Sequence, residues 1–150
     1  MSRVPFWPRM LGLAGLLPQL ACLALAVSGI EPWAEHARLV AAIYAALIFT
    51  FLGGMWWGLA AGAPAAERRG SLGWLWVAAV VPSLLALALI GAWQLDLLPL
   101  EPVLVALGAG LLISLGVDAR AGALAPRWWM ALRAPLSVML GAATLAIALI

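Results

Sequence analysis

Lysine is absent from this chain, histidine and tyrosine occur once each, and a single cysteine, Cys22, sits inside an apolar run. One cysteine excludes a disulfide framework, and one histidine, His36, beside Glu31 and Glu35 falls short of a zinc or iron site. Charge is scarce as well, at 9% of 150 residues against 67% hydrophobic, with a mean hydropathy of +1.12. A water-soluble domain carries roughly a quarter charged residues, so water is not the solvent for most of this surface. No glycine-rich phosphate loop joins a strand to a helix, and no serine or cysteine has a base at usable spacing. Enzymatic chemistry is therefore not expected, and the sequence names no cofactor. The eight basic residues stand singly or in pairs instead of forming a stripe, which argues against a nucleic-acid partner.

What is present is five long apolar runs, at approximately 10–30, 39–61, 72–93, 97–117 and 128–150. Each approaches the roughly 20 residues that cross a bilayer as a helix. They are continuous runs without the alternation of a barrel strand. The fold expected is an all-α membrane protein, one domain of five transmembrane helices. The first run is too long for a signal peptide and ends without a clean cleavage site.

Orientation is read from arginine. Arg3, Arg9, Arg68, Arg69, Arg120, Arg127 and Arg133 fall on one side and Arg38 alone on the other. By the positive-inside rule the N-terminus is cytoplasmic and the C-terminus external. Exclusive use of arginine with abundant alanine suggests a GC-rich bacterial genome, hence a multi-pass protein of the bacterial inner membrane. Pro18, Pro82 and Pro135 lie in or near the cytoplasmic halves of three spans. Pro18 and Pro82 each remove one intrahelical hydrogen bond, so a kink is expected at both, with Gln19 and Ser83 positioned to satisfy the freed backbone groups.

At a spacing of four, the second span reads Ala42, Ala46, Thr50, Gly54, Gly58, Gly62, with Gly53 beside it, and the fourth reads Ala106, Gly110, Ser114, Asp118. Small side chains along a face permit close helix packing in lipid, so these stripes are expected at the centre of the bundle. The mid-membrane polar residues Tyr44, Thr50, Ser83 and Ser114 are all neutral, which argues against ion-coupled transport. Nine tryptophans are unusual for this length. Most suit interfacial belts; Trp56 and Trp57 fit least well, since Gly58 to Gly62 still follow them before the loop, and one of the pair must point inward if the other faces lipid. Asp118 is the one carboxylate that continues a packing stripe, and it needs a cation. Arg133, at the start of the fifth span, is the expected partner, with Arg9 or Arg127 as alternatives.

Phe51-Leu52-Gly53-Gly54-Met55-Trp56-Trp57-Gly58, Val81-Pro82-Ser83-Leu84, Asp118 with Arg120, and Trp128 through Leu136 resemble the family known as domain of unknown function 3429, whose eukaryotic members are called transmembrane protein 69. The resemblance covers nearly the whole chain. It implies a small five-helix inner-membrane protein, bacterial or mitochondrial, and carries no activity with it. Two functions are compatible with these residues. One is a non-enzymatic binder of a lipid, quinone or tetrapyrrole-like amphiphile, held in the cytoplasmic half by Trp56, Trp57, Trp128, Arg9 and Arg133. The other is a scaffold or assembly subunit whose glycine faces meet another membrane protein or a second copy of the chain. Membrane lipid is an expected partner in both.

Overall fold

The computed structural model describes residues 3–67, 72–122 and 124–150. Among the described residues six α-helices follow one another: α1 (Phe6–Ala14), α2 (Leu17–Ser28), α3 (Trp33–Gly62), α4 (Gly73–Gln94), α5 (Leu100–Arg120) and α6 (Trp129–Ala148). One 3-10 turn, Pro64–Glu67, follows α3, and there is no strand among the described residues. With α1 and α2 taken as one segment, five helical segments among the described residues are long and apolar enough to cross a membrane. A helix closes its backbone hydrogen bonds within itself, so such a run can leave water without orphaned amides.

The outward faces are apolar too. Leu87 is 71% exposed and Ile113 73% exposed, and Leu11, Phe51, Val77 and Leu84 are similarly bare. In water, such surface would drive aggregation; in lipid it costs nothing. The burial pattern thus identifies the solvent.

The first span is broken in two because Pro18, in the first turn of α2, has no N–H to offer. The chain turns at Gly15 and Leu16, and the Tyr44 hydroxyl from α3 donates to the Gly15 carbonyl at 2.6 Å. Gln19, expected to repair this break, does not. Its amide points across the bundle, where Nε2 donates to Thr144 Oγ1 of α6 at 2.8 Å, and Thr144 in turn donates to the Leu140 carbonyl at 2.7 Å. Around Pro82 the helix stays continuous, with Pro82 buried and Ser83 exposed.

α3 is longer than its apolar run, at 30 residues. At 1.5 Å per residue it spans about 45 Å, well beyond a hydrocarbon core of about 30 Å. His36 and Arg38 consequently lie on its first turns and not in a loop. α3 packs against α2, α4, α5 and α6, which makes it the centre of the bundle, and α5 joins α3, α4 and α6.

Two close approaches hold the helices. A Cβ at Gly53 would collide with the Ala79 carbonyl of α4, so only glycine permits this α3–α4 contact. Between α5 and α6, a Cβ on Gly108 would lie 3.1 Å from the Gly141 carbonyl oxygen, and one on Gly141 3.0 Å from that of Gly108. These glycines are not those of the expected stripe. Ala42 and Ala46 are buried, but Gly54, Gly58 and Gly62 are exposed, with open space where a side chain would stand. The reason is geometric. Four residues turn a helix about 40° beyond a full circle, so the row from Ala42 to Gly62 winds to the opposite face. The same drift carries α5 from exposed Ala106 through half-buried Gly110, whose α-carbon faces the Phe49 ring, to buried Ser114 and Asp118.

Candidate functional site

The N-terminal end of the bundle is built where α3 and α5 finish and α1, α4 and α6 begin. On α6, Trp129, Arg133 and Ser137 stand four residues apart, so their side chains share one face. That face meets the last turns of α5 and α3, which bring in Asp118 and Trp56.

Asp118 is 0% exposed. Its Oδ2 accepts from Arg133 Nε at 3.0 Å, the ion pair between the two residues. Its Oδ1 accepts two indole N–H groups, from Trp56 at 2.9 Å and from Trp129 at 3.1 Å. Arg133 also donates through Nη2 to Ser137 Oγ at 3.0 Å. One carboxylate thereby ties together α3, α5 and α6. A charge removed from solvent this fully is tolerable only when paired and hydrogen-bonded, and here both oxygens are engaged.

Beside this network lies a cavity of about 320 Å³ between α1, α3 and α6. Leu11, Gly12, Leu52, Met55 and Leu132 form much of its apolar wall, and Trp128, Trp129 and Arg133 its polar end. Leu11 and Phe51, both on its lining, are also exposed on the outer surface. The cavity therefore opens sideways, toward lipid. A second crevice of about 370 Å³ lies between α3, α4 and α5, with Phe49, Trp56, Gly110 and Ser114 on its walls. Trp56 faces this second crevice while donating to Asp118, so the network forms the partition between the two.

The five residues expected to share one ligand site are not brought together. Trp128 and Arg133 line the first cavity. Trp56, 2% exposed, belongs to the partition and to the other crevice. Trp57 is 51% exposed and stacks edge-on against Trp76 of α4 at 4.7 Å, because adjacent helical residues point about 100° apart. Arg9 is exposed and does not line the cavity. Ser114 donates to the Leu111 carbonyl of its own helix at 2.6 Å. Arg120 is held away from Asp118, its guanidinium 4.9 Å above the Trp74 ring. Arg68 and Arg69 lie outside the described residues.

Trp129 and Ser137 were missed in the sequence. Their offsets of minus and plus four from Arg133 were the available signal.

At the opposite end, Glu31, Glu35, His36, Arg38 and Glu101 surround an open basin of about 440 Å³. His36 Nδ1 lies 2.7 Å from the Pro32 carbonyl, and no cluster of three or more metal-ligating side chains occurs among the described residues.

Five apolar spans, lipid-facing side chains and a buried charged network at one end define a multi-pass helical membrane bundle. Within that class the chain belongs to the family described as Protein of unknown function (DUF3429), whose sequence profile matches residues 4–150. No curated protein and no solved structure matches the chain.

Proposed function

We propose that this protein is a non-enzymatic binder of a membrane-soluble amphiphile, taken up laterally into the cavity between α1, α3 and α6. The observation that carries this reading is the cavity itself. Its volume of about 320 Å³ falls within the range of ligand pockets, roughly 300–1,000 Å³. An apolar wall with a few convergent polar groups at one end is the usual make-up of such sites. The arginine bias supports an N-terminus, and with it the cavity, on the cytoplasmic side of a bacterial inner membrane. Native mass spectrometry of gently solubilised protein tests the binding. A co-purifying small molecule, lost when Leu132→Trp fills the cavity, is the expected result; the same bound molecule in both forms removes the site from this cavity.

A second reading rests on Gly54, Gly58 and Gly62, which present an exposed small-residue face. Such a face suits a partner helix. On this reading the protein is a scaffold for another membrane protein or a second copy of itself. Site-directed crosslinking from Gly58→Cys in native membranes is expected to yield a discrete protein adduct, and absence of any adduct counts against it. Gly110 no longer supports this reading, since it faces Phe49 inside the bundle.

A further inference from the structure

We infer that the ligand of the α1–α3–α6 cavity is electrically neutral and carries a carbonyl-type oxygen, as a quinone or an esterified neutral lipid does, and that Arg133 is the residue that holds this oxygen. The inference rests on the binding reading above and adds the chemistry of the bound group.

A guanidinium has five N–H donors. Among the described residues, Arg133 spends one Nε donor on Asp118 and one Nη2 donor on Ser137. The Nη1 donors have no acceptor there, although the side chain is only 9% exposed and lines the cavity. Nη1 is not sealed and keeps surface at the cavity, where a donor set in an apolar wall favours an acceptor from outside the chain. The surrounding wall of Leu11, Leu52, Leu132 and Leu136 offers none.

The charge balance decides what kind of acceptor fits. Arg133 is opposed at 3.0 Å by a carboxylate that is itself sealed from solvent. Cation and anion together present a dipole to the cavity, not a net positive charge. An incoming phosphate or carboxylate would lose its hydration, a large penalty for any buried ion. In return it would meet an arginine already neutralised and an Asp118 charge close behind it. A neutral carbonyl pays far less to leave water or the interface and still gains a hydrogen bond from a charged donor. Size agrees with this. At about 30 Å³ per water-sized group, the cavity accepts on the order of ten such groups, enough for a substituted ring or a glycerol ester with the first carbons of its chains. Longer tails would leave between Leu11 and Phe51 into lipid.

The test measures equilibrium binding of radiolabelled probes to the protein in dodecylmaltoside micelles, a host with no carbonyl of its own. Decylubiquinone, dioctanoylglycerol and oleate are titrated, the first two neutral and the third anionic, with a Leu132→Trp variant as the filled-cavity control. Saturable binding of either neutral probe at least about tenfold tighter than oleate is expected, because only the anion must shed strong hydration to enter and then meets an arginine already paired. The quinone and the ester are separate arms, so a preference between them names the source of the carbonyl. The double change Asp118→Asn with Arg133→Gln strips both charges without stranding one, and is expected to weaken neutral-probe binding about tenfold. Tighter binding of oleate than of both neutral probes, abolished by Leu132→Trp, overturns the neutral-ligand inference and leaves the cavity reading standing. If no probe binds, or binding is identical in Leu132→Trp, both are overturned.

Discussion

Replacing Asp118 by alanine removes the acceptor on which three elements converge. The Arg133 charge is left with only Ser137 among the described residues, and the indole N–H groups of Trp56 and Trp129 lose their partner. Breaking a buried ion pair from one side costs about 3–5 kcal/mol, and the two stranded indoles place this case within that range. Arg133→Ala is expected to cost a comparable amount by stranding the carboxylate, softened by the two indoles that still donate to it. The double replacement strands no charge. It is therefore expected to be less destabilising than the two singles added together, by about 2 kcal/mol. The assay is reversible unfolding in mixed micelles, followed by far-ultraviolet circular dichroism, with Arg127→Ala in the exposed α5–α6 connection as a control expected within about 0.5 kcal/mol of the parent. Additivity of the two singles within about 0.5 kcal/mol, or a single Asp118→Ala cost below about 1 kcal/mol, refutes the reasoning.

Three further outcomes follow from the packing. Gly53→Ala is expected to destabilise the bundle by at least about 2 kcal/mol, since the new methyl meets the Ala79 backbone, whereas Gly58→Ala changes stability by less than about 0.5 kcal/mol; equal effects in the same unfolding assay contradict the assigned faces. Trp56→Phe is expected to cost about 1.5–3 kcal/mol through the lost hydrogen bond to a charged acceptor, while Trp57→Phe, half-exposed against Trp76, costs under about 1 kcal/mol. Thr144→Val leaves the Gln19 amide without its partner and is expected to cost about 1 kcal/mol. Gln19→Leu, which also removes the buried and unpartnered Oε1, is expected to cost less or to stabilise, and the reverse order in thermal melts sinks this account.

The number and approximate place of the spans were legible because a hydrophobic run answers to a single physical demand, the thickness of the hydrocarbon core. The need of Asp118 for a cation was legible for a similar reason, since an isolated charge on a packing face has few solutions. The loss of regular helix at Pro18 was foreseen, but its repair was not: any hydroxyl within reach of the Gly15 carbonyl would serve, and only the approach of α3 selects Tyr44. The stripes failed in an instructive way. A spacing of four follows one face for two or three turns and then leaves it, so the glycines that matter at the helix contacts, Gly53, Gly108 and Gly141, lie off the rows that looked most regular.

By itself, then, the sequence determined the solvent, the five apolar spans and the scarcity of groups able to do chemistry, because these depend on composition and run length along one chain. Tertiary structure alone decided which tryptophan of the adjacent pair faces inward, that Trp56 and Trp129 share the Asp118 carboxylate, and that Arg133 keeps unused donors beside an apolar cavity. Those facts depend on how far each helix is rotated about its axis and how closely it meets its neighbours. In a chain where nearly every face is apolar, hydrophobicity is the same in all directions and cannot set that rotation. Backbone contact at a few glycines and one buried ion pair set it instead.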